Sequence, residues 1–372
     1  MVKPIRILQA FVTGDGGGLT KYICQNYQFV DRDKVQFDFL TFDAEQLPFE
    51  REFCDMGARF YRVARPSHPL SFFCALRDII KNNEYSAVHF HLSYANFVPV
   101  LLTKLAGAKK IFIHSHSTQI DDNRAWVRNI KLSVHKLGRM LWPVLVDEYL
   151  ACSNIAGEWM YRGWNSTGIK FHLASNGIEV RKYSFDQTIR AEKRQELGLT
   201  DKNFVIGHIG RFCYQKNQSF LVQVFREYLK KAPDALLFFV GTGEDEKQVR
   251  SQVEALGISD KVRFLGRRSD VPELLQAMDV FALPSRFEGL VIVGVEAQAA
   301  GLPCIVSDVV SEELALTDLV HFLPINSGYE RWVEEIKHSV DCERMSRERE
   351  IIDSGYDIVN SARSLMDLYL QK

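Results

Sequence analysis

A large net charge and long apolar runs are both missing from this 372-residue chain. The formal net charge is −1, so no global field directs the chain to nucleic acid, and an anionic ligand needs a local cluster of cations. Every apolar run falls short of the roughly 20 residues that span a bilayer. The N-terminal run is also too short and breaks too early for a secretory signal, so we expect a cytoplasmic protein.

Paired cysteines are missing as well. The seven cysteines are odd in number and scattered, without a Cys-x-x-Cys pair, which favours reduced thiols over disulfides or a cysteine-zinc site. With 46% hydrophobic and 25% charged residues, the composition is that of a soluble globular protein. At this length two domains are expected.

Short β-like runs alternate with helix-like runs along the chain. The candidate strands are 6–12, Val35–Thr41, 59–62, 87–91, 110–114, Glu148–Ala151 and 170–173, then 204–209, Leu236–Val240, 262–265, Val280–Leu283 and Cys304–Ser307. Such alternation predicts parallel strands with crossover helices, the doubly wound α/β class. The rhythm breaks near Asn176-Gly177, so we expect two similar domains joined near residues 178–186.

The most informative stretch, residues 284–308, reads PSRFEGLVIVGVEAQAAGLPCIVSD. A strand pattern runs into a Pro-Ser turn, and helix-compatible residues then extend from Glu288 to Gly301. We therefore expect Glu288 at a helix N-terminus, where free N–H groups attract anions, and Glu296 about two turns further on. Such carboxylates suit a sugar diol beside a diphosphate. The alternative is an ordinary strand–helix–strand unit with two solvated glutamates.

A cationic loop occupies residues 210–217, GRFCYQKN, after a predicted strand. Arg211 and Lys216 bracket a loop that opens onto a helix starting near Asn217, so two cations and a helix N-terminus could converge on a diphosphate. Ligands of such sheets gather at the carboxyl ends of strands, where this loop must lie. The alternative is two solvated surface cations.

Two glycine-rich turns also follow predicted strands. Gly17 and Gly18 end the segment Gly-Asp-Gly-Gly-Gly, in which glycines let the backbone approach a phosphate closely. The segment departs from the G-x-G-x-x-G fingerprint, and a plain tight turn fits it nearly as well. Gly241 and Gly243 allow the same two interpretations.

Two His-x-His pairs, His89 with His91 and His114 with His116, lie at the ends of predicted strands. Alternation along a strand points both side chains of a pair to one face, which makes a metal site one interpretation. Because no carboxylate is near either pair in sequence, we favour histidines that face a cleft and contact substrate hydroxyls, with no metal. The Asp-x-Asp at residues 31–33 precedes a strand and is interpreted as a turn.

The segment 123–142 predicts an amphipathic basic helix. One stripe is basic, with Arg124, Arg128, Lys131, His135 and Arg139, and another is apolar, with Val127, Ile130, Val134, Leu137 and Leu141. Such a helix can lie on an anionic membrane surface, which would place the protein peripherally at the inner face of the plasma membrane. The alternative is a core-packed helix with a solvated basic face.

Taken together, the chain resembles the retaining GT-B glycosyltransferases of family 4, and more narrowly the EpsF/CapM-like enzymes of bacterial exopolysaccharide and capsule assembly. The match is carried by GRFCYQKN at 210–217, EGLVIVGVE at 288–296, ASNGIE at 174–179 and IHSHST at 113–118. It implies two Rossmann-like domains facing a central cleft. The acceptor-side domain would be residues 1–180 and the nucleotide-sugar-binding domain 181–345, with a helical segment, 346–372, packing back on the first.

The resemblance also implies roles for individual residues. Arg211 and Lys216 would hold the donor diphosphate and stabilise the leaving group without a metal or other cofactor. Glu296 would accept hydrogen bonds from the ribose, and Glu288 from the donor sugar. Around them, the backbone of Gly289 and Leu290 would lie near phosphate or sugar, and Gly17 and Gly18 would line the donor site. His116 best matches the sugar-contacting histidine, with His114 as second choice.

The expected activity is transfer of a hexosyl unit, with retention, from a UDP- or GDP-linked sugar to a saccharide or lipid-linked saccharide acceptor. A nucleotide-sugar epimerase of the same two-domain shape is an alternative, and it would consume donor without an acceptor. A non-catalytic GT-B partner subunit is a second alternative. The presence of Arg211, Lys216, Glu288 and Glu296 together argues against that second alternative.

Overall fold

The chain divides into two compact units, residues 1–177 with 358–372, and residues 178–357. The computed structural model describes residues 3–14, 18–122, 124–161 and 169–371. The boundary thus follows Gly177, three residues before the expected position. The C-terminal residues that join the first unit are those from Ile358 onward, not from residue 346.

The first unit contains a parallel sheet of seven strands in the spatial order β3-β2-β1-β4-β5-β6-β7. The strands are β1 Ile5–Val12, β2 Val35–Thr41, β3 Phe60–Arg62, β4 Tyr85–Leu92, β5 Ile111–Ser115, β6 Glu148–Ala151 and β7 His172–Leu173. This is the doubly wound order, and the sequence of strands reverses between β1 and β4. All seven residues of β2 are buried, as expected for a strand covered on both faces.

In the described residues of this unit, seven helices cover the sheet. They are α1 Gly18–Phe29, α2 Glu50–Asp55, α3 Pro69–Asn82, α4 Phe97–Leu105, α5 Ala125–Leu145, α6 Asn154–Tyr161 and, from the end of the chain, α15 Ile358–Leu370. Helix α15 buries an apolar face that includes Ile358, Ala362, Leu365 and Tyr369, and it packs against α1. These residues are four, three and four positions apart, which places them along one side of the helix.

The second unit repeats the architecture with six parallel strands in the order β10-β9-β8-β11-β12-β13. They are β8 Val205–Ile209, β9 Leu236–Val240, β10 Val262–Phe264, β11 Val280–Leu283, β12 Cys304–Ser307 and β13 Val320–Leu323. Here the strand order reverses between β8 and β11. The predicted α/β class with two doubly wound, Rossmann-like sheets is confirmed.

Eight helices surround the second sheet. They are α7 Val180–Tyr183, α8 Gln187–Glu196, α9 Gln218–Leu229, α10 Glu246–Ala255, α11 Val271–Ala277, α12 Ile292–Ala299, α13 Tyr329–His338 and α14 Glu348–Asp353. The sequence missed strand β13, because its first three residues are exposed or half-buried and include His321. An edge strand of this kind lacks the continuous apolar run by which the central strands were recognised.

Candidate functional site

Two loops meet at the switch point of the second sheet. Strands β8 and β11 pair in parallel, and their carboxyl ends lead into residues 210–217 and 284–291 respectively. In open α/β sheets the crevice at this position is where ligands bind. The two stretches that the sequence singled out therefore lie side by side.

The backbone of the loop 210–217 is held from both sides. Gly210 N donates to Val240 O at 2.9 Å, and Phe212 N donates to Thr242 O at 3.1 Å. At the other end Asn217 adopts the left-handed conformation, with φ 56°, and its Nδ2 donates to Pro284 O at 3.1 Å. Helix α9 begins at the next residue, as predicted.

Gly241 and Gly243 permit this packing. A Cβ atom on Gly241 would lie 2.2 Å from Gly210 O, and one on Gly243 would lie 2.2 Å from Phe212 O. Real Cβ atoms do not approach a carbonyl oxygen this closely, so a side chain at either position would displace the cationic loop. The glycines are therefore explained by close approach of two backbones.

A buried ion pair joins the two loops. Lys216 Nζ lies 2.6 Å from Glu288 Oε1, which also accepts from Ser285 Oγ at 2.7 Å. The other carboxylate oxygen, Oε2, accepts from Gln215 Nε2 at 2.9 Å. Each oxygen thus has a donor, which compensates for the burial of the charge. The sequence did not identify Ser285 or Gln215, although Ser285 stands three residues before the predicted carboxylate.

Arg211 is in a different environment from Lys216. Its Nη2 lies 2.8 Å from Glu244 Oε1, and both side chains are about half exposed, at 50% and 54%. An exposed ion pair of this kind contributes about 0–1 kcal/mol to stability. Replacing Glu244 by a polyanion as the partner of Arg211 would therefore cost little free energy. The loop therefore presents Lys216 against a buried carboxylate and Arg211 in an ion pair at the surface.

The predicted start of the helix after β11 is wrong. Helix α12 begins at Ile292, so Glu288 lies four residues before it, and Glu296 is the fifth helical residue, about one turn in. The intervening segment is taken up by an extended loop whose Phe287, Leu290 and Val291 side chains are buried. Burial of these apolar side chains stabilises the loop conformation more than an earlier start of the helix would.

The alternative of two solvated glutamates is also wrong. Glu288 is 5% exposed and Glu296 is 1% exposed. The hydroxyl of Tyr183, on α7, hydrogen-bonds Glu296, and burial together with that carboxylate raises the pKa of Tyr183 above its usual value. Tyr183 is a further site residue that the sequence did not reveal, because it comes from a different part of the chain.

His208, beneath the cationic loop, is held neutral. Its Nδ1 donates to Ala282 O at 2.9 Å, and its Nε2 accepts from Gln218 Nε2 at 3.1 Å. Burial lowers the pKa of His208 to about 4. The unfolded chain takes up a proton there near pH 6.5, but the folded chain does so only near pH 4.

His208 should therefore make stability fall with acidification. Its contribution to the free energy of unfolding is complete above pH 6.5 and is lost as the pH falls towards 4. The total loss is about 3 kcal/mol. We expect His208→Asn, which retains a donor for Ala282, to flatten the fall in unfolding free energy between pH 6.5 and 4. Urea unfolding at several pH values measures this. The exposed His338→Asn is the matched control, and an unchanged slope in His208→Asn would contradict the assignment.

The predicted histidine pairs come together in the first unit. His89 and His91 lie on β4 and His114 on β5, where His91 is directly opposite His114 in register. All three are buried, and His116 follows just after β5 and is half-buried. The ring centroids of His114 and His116 are 4.0 Å apart, and those of His89 and His91 are 4.2 Å apart. His116 is thus the more accessible histidine of its pair.

Hydrogen bonds link His116 to the sheet interior. His116 Nε2 lies 2.9 Å from His91 Nδ1, and His91 Nε2 lies 2.9 Å from Gln9 Oε1. Since Gln9 Nε2 donates to the Tyr369 hydroxyl at 3.1 Å, its Oε1 accepts from His91, and His91 Nδ1 in turn accepts from His116. Desolvation lowers the pKa of His116 to about 3, so the ring is neutral at physiological pH. Neither Gln9 nor Tyr369 was recognisable from sequence.

The predicted glycine turn is described only in part. Gly18 is the first residue of α1, and a Cβ there would meet no atom within 4 Å. Gly17 lies outside the described residues, as does Asn123 at the start of the predicted basic segment. Residues 32–34 form the turn expected of the Asp-x-Asp segment.

Helix α5 presents an apolar stripe to solvent. Trp126, Ile130, Leu137, Met140 and Val144 are exposed, at spacings that place them along one side. The basic stripe is less uniform than predicted, because His135 is buried and accepts from Ala95 N at 2.9 Å. Asp122 pairs with Arg124 and Lys131 at 3.1 and 3.0 Å. None of the helices in the described part of the chain has the length and hydrophobicity of a bilayer span.

Comparison with known proteins accounts for both units. The family described as "Glycosyltransferase Family 4" matches residues 16–182, and that described as "Glycosyl transferases group 1" matches residues 189–355. A solved structure of similar fold is that of Anabaena Alr3699/HepE in complex with UDP and glucose. Its TM-score is 0.77 at 18% identity, with 98% of each chain covered. The paired doubly wound units are thus the GT-B architecture of glycosyltransferases.

Two glycosyltransferases that match nearly the whole chain define the class of protein more closely. "Putative glycosyltransferase EpsF" of Bacillus subtilis (strain 168) is 30% identical over 98% of this chain and 96% of its own. A UDP-Gal:alpha-D-GlcNAc-diphosphoundecaprenol alpha-1,3-galactosyltransferase of Escherichia coli is 24% identical over 95% and 93% respectively. The chain belongs to glycosyltransferase family 4, with its group 1 domain in the second unit.

Proposed function

We propose that this glycosyltransferase moves a hexosyl unit, with retention, from a UDP- or GDP-linked sugar to a saccharide or lipid-linked saccharide during synthesis of exopolysaccharide, capsule or another cell-surface glycan. The buried contact between Lys216 and Glu288 at the switch point carries the proposal. In this contact Lys216 would be the cation that binds phosphate, and Glu288 would be the carboxylate that accepts from sugar hydroxyls. The UDP and glucose named for the Anabaena structure and the UDP-galactose named for the E. coli relative support this donor class.

The second unit would bind the donor. Arg211 would exchange Glu244 for a phosphate, and Lys216 would share its ammonium between Glu288 and the diphosphate. Ser285 and Gln215 donate to the Glu288 carboxylate and would orient it towards sugar hydroxyls. Glu296, held by Tyr183, would accept from the ribose. Backbone groups at Gly289 and Leu290 would complete this site, and Gly17 and Gly18 would also contact the donor.

The chemistry proposed is electrostatic. As the bond from the anomeric carbon to the phosphate oxygen breaks, negative charge grows on the leaving nucleoside diphosphate, and Arg211 and Lys216 would stabilise it in place of a metal ion. The acceptor oxygen would bond to the anomeric carbon on the face that the phosphate leaves, and its proton would pass to the leaving phosphate, which gives retention. His116 would contact a sugar hydroxyl through Nδ1, since its Nε2 donates to His91. His114 is the second choice for this contact.

Product formation tests the proposal. Purified chain would be incubated with UDP-glucose, UDP-galactose, UDP-N-acetylglucosamine or GDP-mannose, with and without lipid-linked saccharides extracted from bacterial membranes. We expect release of nucleoside diphosphate that depends on acceptor, and a product linkage with the donor's anomeric configuration. Inversion would contradict the mechanism. Interconversion of donor sugars without an acceptor would instead indicate an epimerase.

We also propose that α5 contacts an anionic membrane surface. Exposed apolar side chains next to cations are the pattern of an interfacial helix. We expect the protein to float with vesicles of phosphatidylglycerol and phosphatidylethanolamine, and Trp126→Ser with Ile130→Ser to reduce binding roughly tenfold or more. The control is Leu70→Ser, which alters an even more exposed apolar residue on α3. Equal flotation of wild type and the double variant would contradict this contact.

A further inference from the structure

The first unit contains a cluster of three buried histidines on strands β4 and β5. Its members are His89, His91 and His114, and their candidate ligand atoms all lie within 4.8 Å of one another. We propose that these three histidines bind one divalent transition-metal ion of the zinc type. The site would be separate from the diphosphate site in the second unit.

The sheet itself brings the three rings together. His89 and His91 are two residues apart on β4, so their side chains leave the same face, and His114 lies opposite His91 on β5. The His89 and His114 rings are nearly parallel, at 10° with centroids 5.7 Å apart. The site is therefore built on two central strands, and it does not depend on a loop for its geometry.

Several ring nitrogens in this cluster have no hydrogen-bond partner among the described residues. Neither nitrogen of His114 has a hydrogen-bond partner among the described residues, and the same holds for Nε2 of His89. Leaving such a group buried and unsatisfied costs about 1–3 kcal/mol. Imidazole nitrogen is a preferred ligand of zinc, copper and nickel, so a metal would satisfy these atoms and neutral rings would be ready to bind it.

The spacing requires the three rings to move closer together around one ion. Nitrogens bound at about 2.1 Å to a tetrahedral zinc lie about 3.4 Å from one another, so nitrogens as far as 4.8 Å apart must approach by up to about 1.4 Å. Changes in the side-chain torsions of the three histidines would supply this movement. Three imidazoles leave the fourth position of a tetrahedral zinc for water.

Hydrogen bonds behind the rings resemble the outer support of a metal site. Tyr369 lies 2.5 Å from His89 Nδ1, and Gln9 lies 2.9 Å from His91 Nε2, so both rings are oriented from their far sides. His91 would then bind through Nδ1, which must first release His116. Through Tyr369 the ion would also tie α15 to the sheet.

Metal titration tests the site without any transfer assay. Chain prepared without a histidine tag would be stripped with EDTA and titrated with ZnCl₂. We expect about one equivalent to bind, and the unfolding temperature to rise roughly 5–10 °C at a free zinc concentration 100 times the dissociation constant. Cobalt(II) should give the visible absorption of a tetrahedral site. Absence of tight zinc binding to the wild-type chain would overturn the proposal.

Variants locate the site. His89→Gln with His114→Gln should abolish both the zinc-dependent rise and the cobalt spectrum, and His172→Gln, which alters a half-exposed histidine of the same unit, should retain them. If the double variant does not fold, the single variant His114→Gln takes its place, because no hydrogen bond of His114 is lost. Unchanged zinc binding in a folded variant would place the metal elsewhere and overturn the assignment.

Discussion

Replacing Lys216 by methionine should reduce kcat/KM for the donor roughly 100- to 1,000-fold. Losing one preorganised group that stabilises developing negative charge commonly has an effect of this size. Lys216 is at 2.6 Å from Glu288 and only 16% exposed, so it is fixed in place before the substrate arrives. Steady-state kinetics with the donor identified in the panel measures the effect. Lys202→Met, which alters an exposed lysine of the same unit, should leave the rate unchanged.

Adding a second substitution to Lys216→Met distinguishes its effect on catalysis from its effect on stability. In Lys216→Met the Glu288 carboxylate stays buried without its cation, which should cost about 3–5 kcal/mol of unfolding free energy. Adding Glu288→Gln removes that buried charge, so the double variant should recover most of the stability. It should remain inactive, since both donor contacts are missing. Recovery of transfer in the double variant would show that Lys216 serves only to neutralise Glu288.

Replacing Glu296 by glutamine should raise the donor KM roughly 10- to 100-fold, with a smaller change in kcat. A hydrogen bond to a charged acceptor contributes about 1.5–3 kcal/mol to binding. A carboxylate accepts through two charged oxygens, whereas the glutamine amide has one neutral acceptor oxygen for the ribose hydroxyls. The carboxylate is 1% exposed and hydrogen-bonded by Tyr183, so water cannot easily replace the missing group. Donor titration of the initial rate measures the KM.

A modified donor provides the matching test. A 2′-deoxyribose version of the donor should weaken binding to the wild-type chain and have little further effect on Glu296→Gln, since both changes remove the same contact. Glu254→Gln, an exposed position on α10, is the control. Additive effects of the two changes would place the ribose away from Glu296.

The parts of the fold that followed from sequence are those with strong periodicity. Central strands such as β9 and β11 are continuously apolar because helices cover both faces, and this made them visible. Strand β13 lacked that signal at the sheet edge. The start of α12 was misplaced because helix propensity does not show that Phe287, Leu290 and Val291 are buried in an extended loop.

Some residues of the candidate site could likewise be predicted from the sequence, and others could not. Arg211, Lys216, Glu288 and Glu296 stood out because they follow predicted strands, and ligands of such sheets bind at the carboxyl ends of the strands. Ser285 and Gln215 act through hydrogen bonds to Glu288, and Tyr183 reaches Glu296 from more than 100 residues away. Such partners are determined by packing in three dimensions. No local pattern in the sequence identifies them.

A crystal structure of the chain with bound UDP or GDP tests the central claim most directly. We predict a diphosphate within hydrogen-bonding distance of Arg211 and Lys216, with the Arg211–Glu244 pair opened and the ribose on Glu296. Glu288 should keep its contacts with Ser285 and Gln215 and face the position of the sugar. A nucleotide bound elsewhere, with the Arg211–Glu244 pair intact and Glu296 still engaged by Tyr183 alone, would contradict the account.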